Sequence, residues 1–442
     1  MISRRALLAG AAATATAGVL PALTGCTRGR GRRLEVAVVW SGGELDRFRE
    51  VLDAYPGRVD VTSAGDEIDA FLRARHRAGN SPDIAVLSRP GLLPTYVDEG
   101  WLVEIPETSA LRRRFPDPWR DLLRVDGTLY GVWVKATHKS LFWQQPSEPF
   151  DAPTSWTGLV AQVERLAEAS RSDDGPAPLA IGAADGWVLT DWLENLLAAR
   201  TDCEQYHALS RGRPRWSEPE VTRSFGDLYD MWSVPGAFPG GPSRALLTQN
   251  EESVVQVFAA GTALAMFEGD FVTAVIERFA TDDDREPGFF RFPSPTGRRD
   301  DRPLVVGGDA AVLLSDTDDA RELLHWLTDA DTFAPWLRAG GFLAPNVLAH
   351  EAEHYHDDVQ RLLAQELLTA GDDLRFDLSD LLAGPLGGGE GQGSWRILQD
   401  FFAAATRPGA ARDEVVADVT RRLDDAAHSY TDTRGIDPRA CG

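Results

Sequence analysis

The sequence is poor in long hydrophobic runs, in basic charge and in cysteine. After residue 25 no apolar run reaches the length of a membrane span, which excludes a body that crosses a membrane. The formal net charge is -23, and no basic stripe follows residue 33. Because such an acidic surface repels phosphate backbones, nucleic acid is not an expected partner. Of the three cysteines, Cys203 and Cys441 either form a bridge or stay as free thiols, and Cys26 belongs to a different pattern.

That pattern is an export signal at the N-terminus. Arg4 and Arg5 precede a small apolar run over residues 6–20, and Leu-Thr-Gly stands directly before Cys26. Cleavage there is typical of a bacterial lipoprotein, whose diacylglyceryl cysteine holds the chain stably on a membrane. We therefore predict a signal peptide at 1–25 and a lipidated, flexible basic stalk at 26–33. An uncleaved anchor, a plain secretory signal and a twin-arginine export route stay open as alternatives.

The remaining residues are too many for one core and show an α/β pattern. Apolar, β-branched runs at 34–40, 59–63 and 83–87 predict strands, and amphipathic stretches after them predict helices. This alternation indicates a doubly wound sheet in the first half of the chain. Further on, 262–267 and 304–314 resemble strands, and 156–170, 271–279 and 318–330 resemble helices. Two α/β domains are expected.

Several segments, in this order along the chain, carry a family resemblance. They are VWSGGELDRF from Val39, AGNSPDIAVLSRPG from Ala78, DGTLYGVWVKATHKSLFW from Asp126, PTSWTGLVAQVERL from Pro153, GWVLTDWLENLL from Gly186, GGDAAVL from Gly307, WLRAGGFLAPN from Trp336, FDLSDLL from Phe376 and GSWRILQDFF from Gly393. Together they resemble the extracellular solute-binding proteins (family 1) of carbohydrate ABC transporters, and most of all the α-glucoside-binding branch.

The resemblance implies a fold, a partner and a division of the chain. It implies a two-lobed periplasmic-binding-protein-like fold, in which each lobe is a doubly wound sheet flanked by helices and the lobes close on a ligand between them. The expected partners are a sugar and an ABC transporter permease, and the protein is expected to be a monomer without cofactor or metal. On this basis lobe one takes residues 34–137 and 268–324, and lobe two takes 138–267 and 325–442.

The predicted sugar site begins in the loop after the first strand, because ligands bind beyond the carboxyl ends of parallel strands. A sugar needs polar groups at its edge and aromatic faces above and below its ring. Trp40, Ser41, Gly42 and Glu44 offer an aromatic ring, bare backbone and a carboxylate together. The alternative for Glu44 is a first-turn charge that favours the helix dipole.

Other candidate ligand-binding residues come from loops, from the crossing between lobes and from an interrupted strand. They are Arg89 after the third strand, Lys135 and Trp143 around the first crossing, Trp187 and Asp191 at a helix start, Asp270 before a helix, Gly308 and Asp309 in a strand, and Trp395 beyond a glycine-rich loop. Hinge packing is the alternative for Lys135 and Trp143, and a helix N-cap is the alternative for Asp270. Where relatives often carry glutamines near Asp270, this chain has acids, so the ligand need not be an α-glucoside.

Two enzymatic alternatives also follow from the sequence. His350, Glu351 and His354 spell the HExxH pattern of zinc peptidases, with His356 and Glu366 as further ligands. This segment also fits a solvated, acidic helix start. A glycoside hydrolase would pair carboxylates chosen from Glu44, Asp191, Asp270 and Asp309.

The preferred prediction is a receptor and not an enzyme. It is anchored by lipid at the extracellular face of the cytoplasmic membrane, captures a sugar, most simply an oligosaccharide, and delivers it to a permease.

Overall fold

The computed structural model of the chain describes residues 33–145, 150–173, 175–211, 215–279, 287–298, 303–352, 355, 357–382, 386–387 and 393–429. The predicted signal peptide, Cys26 and Cys441 lie outside these residues, and so do His354 and His356. Cys203 is disulfide-bonded, which decides against a free thiol at that position. Within the described ranges, no helix combines the length and the apolar character that a membrane span requires.

In the part of the chain that the structure describes, twelve strands form three sheets. In chain order they are β1 Leu34–Val38, β2 Val59–Ser63, β3 Ile84–Leu87, β4 Arg124–Val125, β5 Thr128–Leu129, β6 Gly131–His138, β7 Leu141–Gln144, β8 Ala177–Ala180, β9 Ala263–Phe267, β10 Gly288–Arg291, β11 Leu304–Leu313 and β12 Leu374–Phe376.

The helices lie between and around these strands. In the first half of the chain they are α1 Gly42–Leu52, α2 Ile68–Arg77, α3 Leu93–Asp98, α4 Ser109–Arg114, α5 Asp117–Asp121, α6 Trp156–Asp173, α7 Gly186–Ala198 and α8 Cys203–Ala208. In the second half they are α9 Pro219–Trp232, α10 Pro242–Ala245, α11 Asn250–Phe258, α12 Val272–Phe279, α13 Asp318–Leu327, α14 Ala334–Ala339, α15 Asp358–Thr369, α16 Leu378–Leu381, α17 Ser394–Ala405 and α18 Arg412–Ser429.

The first lobe is built on a six-stranded sheet. Its order is β12-β11-β3-β1-β2, and β6 also pairs with β11. β1 runs parallel to β2 and β3, whereas β11 runs antiparallel to β3 and β6. The parallel strands are joined by α1 and α2, so the loops after β1, β2 and β3 open at one edge of the sheet.

The second lobe is built on a four-stranded sheet of order β10-β7-β9-β8. β7 lies between two antiparallel partners, and β8 runs parallel to β9. Its core is rich in aromatic side chains around Phe142, which stacks on Phe290 with ring centroids 5.0 Å apart. The molecule is therefore two-lobed and α/β, as the sequence predicted.

The chain divides between the lobes at different points from those predicted. Residues 268–324 were expected in the first lobe, but β10 pairs with β7 and so belongs to the second sheet. Residues 325–442 were expected in the second lobe, but β12 pairs with β11, and Trp336 and Leu363 pack in the core of the first lobe. The boundaries differ because long-range pairing decides which sheet a short strand joins. The local sequence does not encode that pairing.

The connection between β6 and β7 is fixed by hydrogen bonds to several elements. The Lys139 N–H donates to the Val305 carbonyl at 2.8 Å, and the Val305 N–H donates to Ser140 Oγ at 3.0 Å. The His138 N–H donates to Asp270 Oδ1 at 2.7 Å. These bonds tie the crossing to β11 and to the start of α12, where a hinge between the lobes has to bend.

Candidate functional site

A cavity of about 540 Å³ lies between the two lobes, and we call it the interlobe cavity. The first lobe contributes the loops after β1 and β2, one end of β6 and the middle of β11. The second lobe contributes the start of α7, the start of α11 and the start of α17. Side chains and backbone of both lobes therefore face the same space.

Most of the predicted ligand-binding residues line the interlobe cavity. They are Trp40, Ser41, Gly42, Glu44, Lys135, Trp187, Gly308, Asp309 and Trp395. The structure brings these residues together from sequence positions more than three hundred residues apart.

The loop after β1 takes its shape from the end of the strand and the start of α1. Ser41 is extended, with φ -131°, and Gly42 has φ +50°, a conformation that glycine adopts at little cost. This turn ends the buried strand and starts an amphipathic helix that buries Phe48 and Val51. Glu44 consequently faces the cavity from the first turn of α1.

Lys135 is buried in β6 and forms an ion pair with Glu44. Its ammonium also lies 5.8 Å from the ring centroid of Phe271 and 5.6 Å from that of Trp336. Burial acts to lower the pKa of Lys135, but the nearby carboxylates of Glu44 and Asp309 outweigh burial and raise it above its usual value. The amine is therefore held charged at the cavity wall.

Lys139 stands at the other side of the crossing and has an acidic setting. It pairs with Asp377 and, at 3.3 Å, with Asp191, and its ammonium lies 5.6 Å from the ring centroid of Trp187. Burial opposes the charge, but Asp191 and Asp377 raise the pKa of Lys139 well above its usual value. Lys135 and Lys139 are the only lysines in the whole sequence.

Asp309 follows the glycine pair in β11 and fixes the indole of Trp40. Trp40 Nε1 donates to Asp309 Oδ2 at 2.7 Å. Burial raises the pKa of Asp309 to about 6, against the opposing effect of Lys135. Trp40 is only 2% exposed and packs edge-on against Phe48 and Trp336, so it offers an edge and not a free face to the cavity.

Position 308 has to be glycine because the neighbouring strand β6 packs directly against it. A Cβ at this position would lie 2.6 Å from the Lys135 carbonyl oxygen and 3.0 Å from the Trp133 ring. The predicted close approach of backbone is therefore present, and its partner is the neighbouring strand.

Aromatic side chains from three elements also border the interlobe cavity. Trp187, at the start of α7, lies edge-to-face with Phe271 at 5.9 Å between ring centroids. Trp395, at the start of α17, also lines the cavity. Both indoles are only half-buried, so parts of their rings are available for stacking against a sugar.

Trp143 and Asp270, both predicted at the site, are structural instead. Trp143 is fully buried, and its indole N–H donates to the Glu268 carbonyl at 3.0 Å. Asp270 accepts the His138 N–H and lies two residues before α12 begins. Both side chains hold the crossing segments together, because they point into the hinge and not into the cavity.

Arg89 and Asp191 also lie behind the cavity wall. Arg89 is 8% exposed, and its guanidinium lies 5.7 Å from the ring centroid of Trp395. Asp191 is 1% exposed and contacts Lys139. These two predicted residues support side chains that line the cavity.

The cavity also has polar residues that the sequence analysis did not select. They are Ser88, Asp66, Thr137, Lys139, Asp185, Gln249, Asn250, Glu251, Arg278 and Asp380. The sequence contains only two lysines, and this composition alone could have singled out Lys139. Asp66 also follows a strand, as Glu44 does. Nothing in the local sequence marks Asp185 or Glu251 as site residues. They reach the cavity only because the second lobe packs against the first.

The enzymatic alternatives gain no support from the described residues. Asp191, Glu194 and Asp377 have oxygens within 4.8 Å of one another, the spacing of a metal site. However, Glu194 accepts the backbone N–H groups of Leu378 and Ser379, each at 2.9 Å, and Asp377 accepts from Lys139. This acidic cluster therefore caps α16 and balances a lysine.

Glu366, considered as a zinc ligand, has other partners. It contacts His138 Nε2 at 2.8 Å and Arg291 at 2.5 Å. Because both groups already bind its carboxylate, Glu366 serves to connect α15 with β6 and β10.

Comparison with known proteins agrees with this architecture. Residues 50–363 match the model of a family described as bacterial extracellular solute-binding protein. The osmoprotective compounds-binding protein GgtB of Synechocystis is 27% identical over 389 residues, covering 85% of this chain and 89% of GgtB. The alpha-glucosides-binding periplasmic protein AglE of Rhizobium meliloti is 24% identical over 417 residues, covering 89% of this chain and 88% of AglE.

Solved structures show the same fold at low sequence identity. The solute receptor AcbH, described with a preference for β-D-galactopyranose, superposes with a TM-score of 0.71 at 18% identity and covers 90% of this chain and 98% of its own. The maltodextrin-binding domain MalE of Bdellovibrio bacteriovorus, bound to maltotriose, gives 0.69 at 13% identity and covers 90% and 99%. With the family model matched over most of the chain, the predicted family is confirmed: this chain belongs to the bacterial extracellular solute-binding proteins.

Proposed function

We propose that the protein is the substrate-binding component of an ABC importer and that it captures a sugar, most simply an oligosaccharide, in the interlobe cavity. The observation that carries this proposal is the composition of the cavity walls. Indole rings of Trp187 and Trp395 stand beside charged donors and acceptors such as Lys135 and Glu44. Aromatic faces with polar edge groups are what a sugar ring needs.

Capture would work by a shift between open and closed arrangements of the lobes. The cavity takes its walls from both lobes, so a ligand touches all of them only when the lobes are close together. One contact already joins the lobes at the rim, because Asp66 interacts with the Trp187 side chain. Glu251 also approaches the start of α1, since a Cβ on Gly42 would lie 3.3 Å from Glu251 Oε1.

The energy required is modest. A micromolar dissociation constant corresponds to about -8 kcal/mol. One or two stacked rings and several edge hydrogen bonds supply that much after the cost of ordering and closure. Binding and release therefore need no chemical step, which agrees with relatives that are named as binding proteins.

We extend this proposal to the position of the protein in the cell. Membership of an extracellular family supports a position outside the cytoplasm. The Leu-Thr-Gly-Cys motif ending at Cys26 supports a lipid anchor at the outer face of the membrane. A monomer tethered there would stay beside its permease, which we expect to recognise the closed form. Mass spectrometry of the N-terminal peptide from membrane-purified protein tests the anchor, and an unmodified Cys26 would contradict it.

The binding proposal is tested with the mature chain and a panel of sugars. Thermal-shift assays with α- and β-linked mono- and oligosaccharides identify binders, and calorimetry then gives the affinity of each. We expect at least one sugar to raise the melting temperature and to bind with one-to-one stoichiometry. A Trp187→Ala variant should weaken that binding strongly, because it removes an aromatic face. If no sugar binds, or if sugars are hydrolysed during incubation, the proposal is wrong.

A further inference from the structure

Three carboxylates that line the interlobe cavity lie close enough to interact, Asp66 with Asp185 and Asp185 with Glu251, and we call them the row. Asp66 comes from the first lobe, and Asp185 and Glu251 come from the second lobe. Within the described part of the chain none of them forms an ion pair, although the lysines of the cavity do. Asp66 and Glu251 are exposed and Asp185 is half-buried, so the row is open to a ligand, and no paired cation of the protein neutralises it.

The row is crowded enough for its members to repel one another. Desolvation and the neighbouring Asp185 raise the pKa of Asp66. Burial raises the pKa of Asp185, and Glu251 adds to this effect, although the Asn250 N–H donates to Asp185 Oδ2 at 2.7 Å. Because Asp66 and Asp185 belong to different lobes, closure brings like charges together, and that repulsion opposes closure.

The two lysines of the cavity are committed elsewhere. Lys135 is paired with Glu44, and Lys139 is paired with Asp377 and Asp191. Arg278 also lines the cavity and forms no ion pair with Glu251, although both groups lie near Gly42: a Cβ on that glycine would be 3.7 Å from Arg278 Nη1 and 3.3 Å from Glu251 Oε1. None of these cations lies within ion-pair distance of the row.

A further acid faces the cavity from its floor. Asp380 is only 6% exposed and lines the cavity, and no described residue donates a hydrogen bond to its carboxylate. Lys139 and Arg89 attract it but do not form ion pairs with it. A buried acid of this kind is costly unless something positively charged or protic reaches it. This acid is independent of the row and also indicates a ligand that supplies donors.

We propose that the sugar taken by the interlobe cavity carries a positively charged amino group, which is held between Asp66, Asp185 and Glu251. This inference rests on the proposed function and narrows it from sugars in general to amino sugars. A cation between the lobes removes the repulsion that closure would otherwise build up. It therefore binds the closed form better than the open form, which is the condition for a ligand to shift that equilibrium. The half-buried Trp187 indole, which lies edge-to-face with Phe271 in the cavity wall, suits the sugar ring.

The test uses matched pairs of ligands. Glucose, maltose and cellobiose are each compared with the 2-amino-2-deoxy analogue and with its N-acetylated form, by calorimetry at neutral pH and low salt. We expect the amino form of the best pair to bind at least about tenfold more tightly than the neutral and N-acetylated forms, as for a charge-assisted hydrogen bond. Its affinity should also fall as salt is added.

Variants separate charge recognition from a structural role. Asp66→Asn should weaken binding of the amino sugar by about tenfold, with little change for the neutral partner. Glu252→Gln, on the same helix as Glu251 but outside the cavity, should change neither. If neutral sugars bind as tightly as their amino analogues, this inference is wrong and the proposed function stands. If no sugar of either kind binds, both are wrong.

Discussion

Glu268 is a buried acid at the crossing from β9 to α12, and it should make stability depend on pH. It is 1% exposed, and burial raises its pKa to about 8 from the ordinary value of 4.5. The folded protein therefore binds a proton that the unfolded chain releases between those two values. The free energy of unfolding should fall as the pH rises through that range.

The variant Glu268→Gln tests this dependence. It should change stability little at pH 5, where Glu268 is neutral, and should stabilise the protein by about 1–3 kcal/mol at pH 8.5. Urea denaturation at the two pH values measures the difference, with Glu164→Gln, an exposed acid of α6, as the control. An equal effect of Glu268→Gln at both pH values would show that the carboxyl does not titrate in this range.

Lys135 should be needed for stability as well as for binding. Removing the ammonium in Lys135→Met leaves Glu44 and Asp309 without their main compensating charge. Breaking a buried pair in this way should lower the free energy of unfolding by about 2–4 kcal/mol. Adding Glu44→Gln to Lys135→Met should restore part of the loss, and a double-mutant cycle measures the coupling. If the two substitutions change the free energy of unfolding additively, Lys135 and Glu44 do not interact.

At the scale of elements, the contact between α7 and α17 positions two aromatic rings of the interlobe cavity. Gly186 begins α7, and a Cβ there would lie 2.6 Å from Trp395 Cβ and 2.8 Å from the Trp395 carbonyl oxygen. Gly186→Ala must therefore push the two helix starts apart. We expect a loss of about 1–3 kcal/mol in stability and weaker ligand binding, because Trp395 moves.

Gly43→Ala is the matched control for this change. Gly43 also lines the cavity, but a Cβ there meets nothing within 4 Å. The free energy of unfolding of the Gly43→Ala variant should stay within about 0.5 kcal/mol of the wild-type value, as for most surface substitutions. Chemical denaturation and calorimetry with the best sugar compare the two variants, and equal losses would contradict the proposed helix contact.

Strands and helices were the part of the structure that the sequence predicted best. The runs at 59–63, 262–267 and 304–314 correspond to β2, β9 and β11 within a residue at each end. β9 and β11 are readable because burial on both faces demands nearly continuous apolar residues, whereas β2 is only partly buried and alternates apolar with polar residues. The helix predicted at 156–170 corresponds to α6, and Ser155 caps its start by accepting a hydrogen bond from the Gly158 N–H at 3.2 Å.

Tertiary placement was less predictable. Trp143 and Asp270 have the residue types and positions of a sugar site, yet their side chains turn into the hinge. The direction of a side chain near a crossing depends on how two sheets twist together, and a single sequence does not encode that locally. Glu251 was missed for the same reason, since only tertiary packing brings it beside Gly42.

At the scale of the whole molecule, the two lobes have interleaved cores. The core of the first lobe includes Val254 and Met266, which come from α11 and β9. The core of the second lobe includes Val305 and Leu378, which come from β11 and α16. Neither lobe can therefore unfold without exposing apolar surface of the other. Calorimetry should show one transition with equal calorimetric and van't Hoff enthalpies, and two separate transitions would contradict this coupling.

The two lysines give a direct measure of lobe motion. Lys135 and Lys139 are the only side-chain amines in the sequence, and both are buried at the interlobe cavity. An amine-reactive acetylating reagent can reach them only when the lobes open, so the labelling rate followed by mass spectrometry reports opening. A sugar that favours the closed form should slow this rate, by up to about a hundredfold at one hundred times its dissociation constant. A Lys135→Arg variant leaves Lys139 as the single reporter and should show the same protection. Labelling that a saturating sugar does not slow would mean that the ligand binds without closing the lobes.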